Sequence, residues 1–175
     1  MYTQPFWIQG NWSGRLAVSP RPRGGDWLEG EINHWREHRV DVVVSLPVPD
    51  EVHEFNLEQE QKYCEQTGIS FHSLHIVDRG VPSSIEDARR LVRKVALALG
   101  AGKSVVVHCR QGIGRSGLIA IAALMQAAQK LDDAIALVSR ARGREVPETA
   151  EQFAWLRTFA SDSGDTQETH SAVLK

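Results

Sequence analysis

The stretch SVVVHCRQGIGRSGLIAIAALMQ, residues 104–126, constrains the fold more than any other part of the chain. Its unbroken β-branched run predicts a strand over Ser104–His108 that is buried on both faces, as in a parallel sheet covered by helices on either side. The helix expected next, Arg115–Gln129, is apolar nearly all round and belongs at the centre of the molecule. A turn holding Gly112 and Gly114 leads directly from the strand end to the helix start.

Other segments fit the same plan. Short β-type runs lie at Phe6–Ile8, Arg15–Ser19, Val40–Leu46 and Phe71–Ile76, the third again rich in valine. Helical spacing is clearest over Ser84–Leu99, where Ile85, Ala88, Leu91, Val92, Val95, Ala96 and Leu99 recur on one side and Gly100 stops the run. Asp26 followed by Glu29 has the form of a capping box ahead of a buried stripe of Trp27, Leu28, Ile32 and Trp35. Further helices are expected over Leu57–Thr67, ended by Gly68, and over Asp132–Ala141 and Thr149–Phe159. Strands alternating with helices make this an α/β chain with a mostly parallel central sheet and helices on both faces. Residues 1–160 read as one domain, and the polar tail 161–175 as disordered.

Composition narrows the functions. A net charge of −2 is far from the basic excess of a protein that coats nucleic acid, so no nucleic-acid partner is expected. Two cysteines, Cys64 and Cys109, are too few for a disulfide framework and indicate a reducing compartment. The start MYTQPFWIQG lacks the pattern of a signal peptide. The richest apolar run, Leu118–Met125, is far short of the roughly 18 residues that cross a bilayer. A cytoplasmic location without a membrane span is the expectation.

The chemistry lies in the glycine turn. Backbone N–H groups at such a turn, at the positive end of a helix, form a nest for an anion. Cys109 stands at the start of this nest, where the same N–H groups stabilise a thiolate. Arg115 at the helix start carries a planar guanidinium that binds two phosphate oxygens at once. Ser116 can donate its hydroxyl to the sulfur. Cys-x5-Arg-Ser after a buried strand is therefore a phosphate cradle with a nucleophile at its floor.

HCRQGIGRSG resembles the active-site signature of the cysteine-dependent protein tyrosine and dual-specificity phosphatases, with His108, Cys109, Gly112, Arg115 and Ser116 in place. The segments RLAVSPRPRGGDWLEGEI, VDVVVSL and DRGVPS are similar to the kinase-associated branch of that superfamily, over roughly residues 10–160. The resemblance implies the single-domain dual-specificity phosphatase fold and catalysis without a metal or other cofactor. It implies Cys109 as nucleophile, Arg115 and Ser116 as its partners, and Arg110, Gln111, Gly112, Ile113, Gly114 and Arg115 as the phosphate-binding loop. A departing tyrosine or serine oxygen needs a proton. Asp78, in Asp78-Arg79-Gly80-Val81-Pro82, matches the family's D-x-G-x-P acid segment, and the same residue, once ionised, would be the base for the water that attacks the phosphocysteine; on spacing alone it reads equally well as a turn aspartate. Downstream, ARGREVPETAEQF resembles the segment whose glutamine positions the hydrolytic water, with Gln152 as the match. His108 is expected to support the loop from beneath the cysteine.

Arg21 and Arg23 follow a strand and are either attractors of a phosphorylated partner or solvated loop residues. His34 and His38, four apart, lack a third metal ligand. Cys64 is either a redox partner for Cys109 or a small buried packing residue.

These residues predict a phosphatase that hydrolyses phosphotyrosine, and phosphothreonine or phosphoserine as further targets, through a cysteinyl phosphate. The alternatives are the same chemistry on a small phosphomonoester such as a phosphoinositide or nucleotide, a phosphate-binding module without turnover, and a sulfur-transferring rhodanese.

Overall fold

The alternation of side chains along three strands divides the core in two. In the computed structural model, which describes residues 1–164, β1 (Phe6–Ile8), β2 (Arg15–Pro20), β3 (Val42–Ser45), β4 (Ser70–Ser73) and β5 (Ser104–Cys109) form one sheet in the order β1-β2-β5-β3-β4. Only β1 runs antiparallel, because a short connection joins it to β2; the other pairs are parallel and reached by helical crossovers. Leu16, Val18, Val42, Val44, Val105, Val107 and Cys109 enter one apolar cluster, and Ala17, Val43 and Val106 the other. The larger cluster is covered by α4 (Ile85–Gly100), α5 (Gly114–Gln126), α6 (Leu131–Arg142) and α7 (Ala150–Gly164). The smaller one lies beneath α1 (Leu28–Glu37) and α3 (Glu60–Thr67). This is the expected α/β architecture, with helices on both faces.

Helix α5 is central, as its composition required: every residue from Gly114 to Leu124 is buried. Fully burying a leucine or isoleucine stabilises by about 1.5–3 kcal/mol, and Leu118, Ile119, Ile121 and Leu124 are all at 0% exposure. That packing fixes the N-terminus of α5 against the end of β5. Gly68 ends α3 in the left-handed conformation, at φ 76°.

Several local expectations are corrected. Asp26 and Glu29 form no capping box; Gly25–Trp27 is a turn of 3-10 helix, and α1 begins at Leu28 without a side-chain cap. The turn shifts the helical phase, so Leu28, Ile32 and Trp35 are buried while Trp27 is 62% exposed, with the Arg23 guanidinium over its ring. The helix expected from Leu57 starts only at Glu60, and a short helix α2 (Pro49–Glu54) precedes it. Strand β4 ends at Ser73 rather than Ile76, although the N–H groups of Leu74 and Ile76 still reach Ser45 O and Leu46 O. The last helix continues to Gly164, past the start of the tail expected at 161; residues 165–175 lie outside the described ones. No helix among the described residues is long and apolar enough to cross a membrane.

Candidate active site

Strand β5 rises between β2 and β3 and ends at Cys109, in register with Pro20 of β2. The chain then closes round the sulfur. Gly112 has φ 68°, and a Cβ there would stand 2.4 Å from the Ser19 carbonyl carbon, so only glycine fits. The carbonyls of the loop are tied outward. Gly112 O accepts from Arg142 Nε at 2.8 Å, Gln111 O from Arg142 Nη2 at 3.3 Å, and Arg110 O from the Arg21 N–H at 3.5 Å. Because a trans peptide sets its N–H opposite its C=O, these bonds turn the loop N–H groups toward the anion nest. Burial and the neighbouring Arg144 lower the pKa of Arg142, against the pull of Cys109.

Arg115, on the first turn of α5, is almost wholly buried, with its side chain 1% exposed. Its Nη1 donates to Glu51 Oε2 at 2.5 Å and to Ile76 O at 2.9 Å, and its Nη2 to Glu51 Oε1 at 2.9 Å. Nη2 also lies 3.0 Å from Asp78 Oδ1. The two-toothed pairing with Glu51 fixes the plane of the guanidinium. Burial acts to raise the Glu51 carboxyl, but the Arg115 hydrogen bonds, the Val48 N–H and the charges of Arg115 and Arg110 outweigh it, so its pKa lies below the ordinary value. Burial likewise opposes the charge of Arg115, and Glu51, Cys109 and Asp78 more than restore it.

Ser116 Oγ lies 3.4 Å from Cys109 Sγ. His108 points to the other side of the sheet, where its Nε2 is 2.7 Å from Glu60 Oε1; Glu60 Oε2 in turn accepts from Ser45 Oγ at 3.1 Å. His108, Glu60 and Ser45 thus form one buried hydrogen-bonded chain on the face of the sheet opposite Cys109. Cys64 is buried in the α1–α3 layer, across the sheet from Cys109, and burial pushes its thiol pKa far up. It is a packing residue.

Past β4 the chain reaches Asp78, which faces a cleft of about 210 Å³ shared with Cys109, Arg110, Gly114, Arg115 and Glu148. The segment carrying Asp78 is held from the α6–α7 side. Gln152 Nε2 donates to Gly80 O at 3.0 Å, Thr149 Oγ1 to Arg79 O at 3.4 Å, and Arg79 Nη1 lies 3.5 Å from Glu148 Oε1. Gln152 is fully buried, and its Oε1 accepts the Glu148 N–H at 3.0 Å. Arg21 does lie beside the loop: its guanidinium and that of Arg110 stand 4.2 and 5.3 Å from the Phe55 ring. Arg23 is turned away, paired with the buried Glu31 at 2.5 Å.

The fold thus brings together Cys109, Arg115, Ser116 and Asp78 and sets His108 and Gln152 behind them. Sequence reasoning missed Glu51, Glu60, Arg142 and Glu148. For Glu51 a signal was present, an acidic residue just past the end of a buried parallel strand on the same side of the sheet as Cys109.

Comparison with known proteins decides the family. The pattern of the dual specificity phosphatase catalytic domain matches residues 40–162, most of the chain. The chain belongs to the dual specificity phosphatase family. Among solved structures, a kinase associated phosphatase whose catalytic cysteine is substituted by serine superposes with a TM-score of 0.80 at 18% identity, over 93% of this chain and 96% of that one. Tk-PTP in its active form gives 0.72 at 28% identity, over 90% and 96%. Protein tyrosine phosphatase domain-containing protein 1 of Bos taurus is 28% identical over 136 residues, 73% of this chain and 17% of that protein. Receptor-type tyrosine-protein phosphatase N2 of Macaca nemestrina is 30% identical over 137 residues, 63% of this chain and 13% of that protein. The chain therefore spans under a fifth of the length of these curated relatives.

Proposed function

We propose that the chain hydrolyses phosphotyrosine in proteins through a cysteinyl phosphate at Cys109, without a metal. The observation that carries this reading is the placement of Cys109 at the floor of the nest, with Arg115 fixed at its edge by Glu51. The Cys109 thiolate attacks phosphorus as the P–O bond breaks. Loop N–H groups and the outward Nη2 of Arg115 hold the phosphoryl oxygens, and Asp78 yields its contact with Arg115 and gives a proton to the departing oxygen. Such an acid contributes about 10²–10⁴-fold. Most of the remaining acceleration comes from position and charge, because phosphoryl transfer asks for little else. Ser116 donates to the sulfur and favours its departure in the second step. Water then attacks phosphorus, its proton passes to the ionised Asp78, the P–S electron pair returns to Cys109 as thiolate, and phosphate leaves.

The charge at the cleft mouth supports a substrate with a single phosphate. Besides Arg115 the cleft is lined by two cations, and each stands near a carboxylate: Arg110 rests against Phe55 and lies 3.9 Å from Glu54 Oε1, and Arg79 lies 3.5 Å from Glu148 Oε1. The test is kcat/KM across a phosphotyrosine peptide, a phosphothreonine peptide, a phosphatidylinositol phosphate and a nucleoside monophosphate, each with EDTA. The phosphotyrosine peptide is expected to lead, with EDTA having no effect. A lipid or nucleotide preferred by tenfold or more would replace this substrate assignment.

A further inference from the structure

We propose that Arg21 reads an acidic side chain next to the phosphotyrosine, so that the substrates are segments with an Asp or Glu one or two positions from the phosphorylated residue. The inference rests on the reading of the substrate as a phosphotyrosine protein and adds the flanking sequence to it. Most cations round the cleft are already engaged. Arg115 is held by Glu51 and Asp78, Arg110 lies 3.9 Å from Glu54 Oε1, and Arg79 lies 3.5 Å from Glu148 Oε1. Arg142 gives its donors to the loop carbonyls Gly112 O and Gln111 O. Arg21 faces no carboxylate among the described residues, and its one side-chain hydrogen bond there is from Nη1 to Pro22 O, at 3.2 Å. Its Nε and Nη2 are left to an incoming acceptor.

The position of Arg21 is fixed from two sides. Pro20, the residue before it, is in register with Cys109, and the Arg21 N–H reaches Arg110 O at 3.5 Å. Its guanidinium lies over the Phe55 ring, 4.2 Å from the centre, and the Arg110 guanidinium stands 5.3 Å from the same ring. Arg110 lines the cleft, so the half-buried Arg21 stands just outside the phosphate site. An aromatic face beneath a guanidinium holds its plane and leaves its edge to an acceptor. The freedom that a solvated arginine loses on binding is here restricted beforehand. A phosphotyrosine with its phosphate at the cleft floor leaves its own backbone at the rim. An extended chain advances ~3.3–3.6 Å per residue, so the side chains that meet Arg21 belong to the nearest neighbours of the phosphotyrosine.

The charge balance at the rim favours a carboxylate over a second phosphate. Two guanidinium groups, Arg21 and Arg110, stand against the single carboxylate of Glu54. The surplus matches an Asp or Glu side chain, whereas a phosphoserine brings a charge of about −1.5 to −2.

The experiment is kcat/KM for phosphotyrosine peptides with alanine flanks, in which Asp, Asn, Lys or phosphoserine is placed in turn at the first and second residue on either side. The enzymes are wild type, Arg21→Gln and Arg21→Glu. In wild type the Asp peptide should exceed its Asn counterpart by about three- to fivefold at one or more positions, the upper range for an exposed ion pair. The ratio is taken within each enzyme, so any loss that a substitution causes in the loop itself cancels. The preference for Asp should disappear in Arg21→Gln, and in Arg21→Glu the Lys peptide should lead at the same position. No Asp preference at any position in wild type overturns the inference, and so does a preference that survives in Arg21→Gln. A phosphoserine peptide that outdoes the Asp peptide overturns the choice of a carboxylate. All three results leave the phosphotyrosine reading in place. A wild type that hydrolyses nitrophenyl phosphate but none of the peptides overturns that reading and this inference together.

Discussion

Arg115→Lys should lower kcat/KM for nitrophenyl phosphate by about 10³-fold, at the upper end of what losing one fixed transition-state donor costs. Lysine keeps the charge but is a point donor on a flexible stem, so it cannot hold Glu51 with one edge and a phosphoryl oxygen with another. Arg115→Ala adds a second loss. Glu51 remains buried with no cation beside it, and breaking a buried pair in this way costs about 3–5 kcal/mol. Denaturant unfolding measures that loss separately from the kinetics. The double variant Arg115→Met/Glu51→Gln should regain most of the stability and none of the activity. An Arg115→Lys enzyme with more than a tenth of wild-type efficiency would remove Arg115 from the transition state.

Asp78→Ala should lose about 10²–10³-fold on a phosphotyrosine peptide and less than about tenfold on nitrophenyl phosphate. The difference follows from the leaving group. A tyrosine oxygen, with a pKa near 10, departs poorly without a proton, whereas nitrophenolate is stable by itself. The same substitution removes the carboxylate held 3.0 Å from Arg115 Nη2, a competitor for the position of a phosphoryl oxygen. Inorganic phosphate should therefore inhibit the variant at lower concentration than wild type. Equal losses on both substrates would place Asp78 in binding rather than in proton transfer.

The part of this site that the sequence made legible is the part built from local chain. Cys109, Gly112, Arg115 and Ser116 lie within one strand–turn–helix unit, so spacing alone sets their geometry. Asp78 was singled out only by the resemblance of its D-x-G-x-P segment to the family's, since a turn aspartate fits the same spacing. The supporting residues are joined to the site only by the fold: Glu51 lies 64 positions from Arg115, Glu60 lies 48 from His108, and Arg142 lies 30 from Gly112. No periodicity links such pairs. Helix α2, which supplies Glu51, is a six-residue helix opened by a proline and too short for an amphipathic stripe. The misreading of Trp27 has a different source, since a 3-10 turn before α1 altered the phase on which the stripe was counted. The sheet was read with most success at β3 and β5, which are buried on both faces, and continuous β-branched runs are the trace that such burial leaves in a sequence.

The central claim is that phosphate passes through the sulfur of Cys109. Acid quench of the wild-type enzyme during turnover of nitrophenyl phosphate, followed by peptide mass mapping, tests it most directly. One phosphoryl group should be found on the peptide containing Cys109, and Cys109→Ser should carry none there and turn over no substrate. Undiminished hydrolysis by Cys109→Ser, or a phosphoryl group recovered on another residue, would contradict the account.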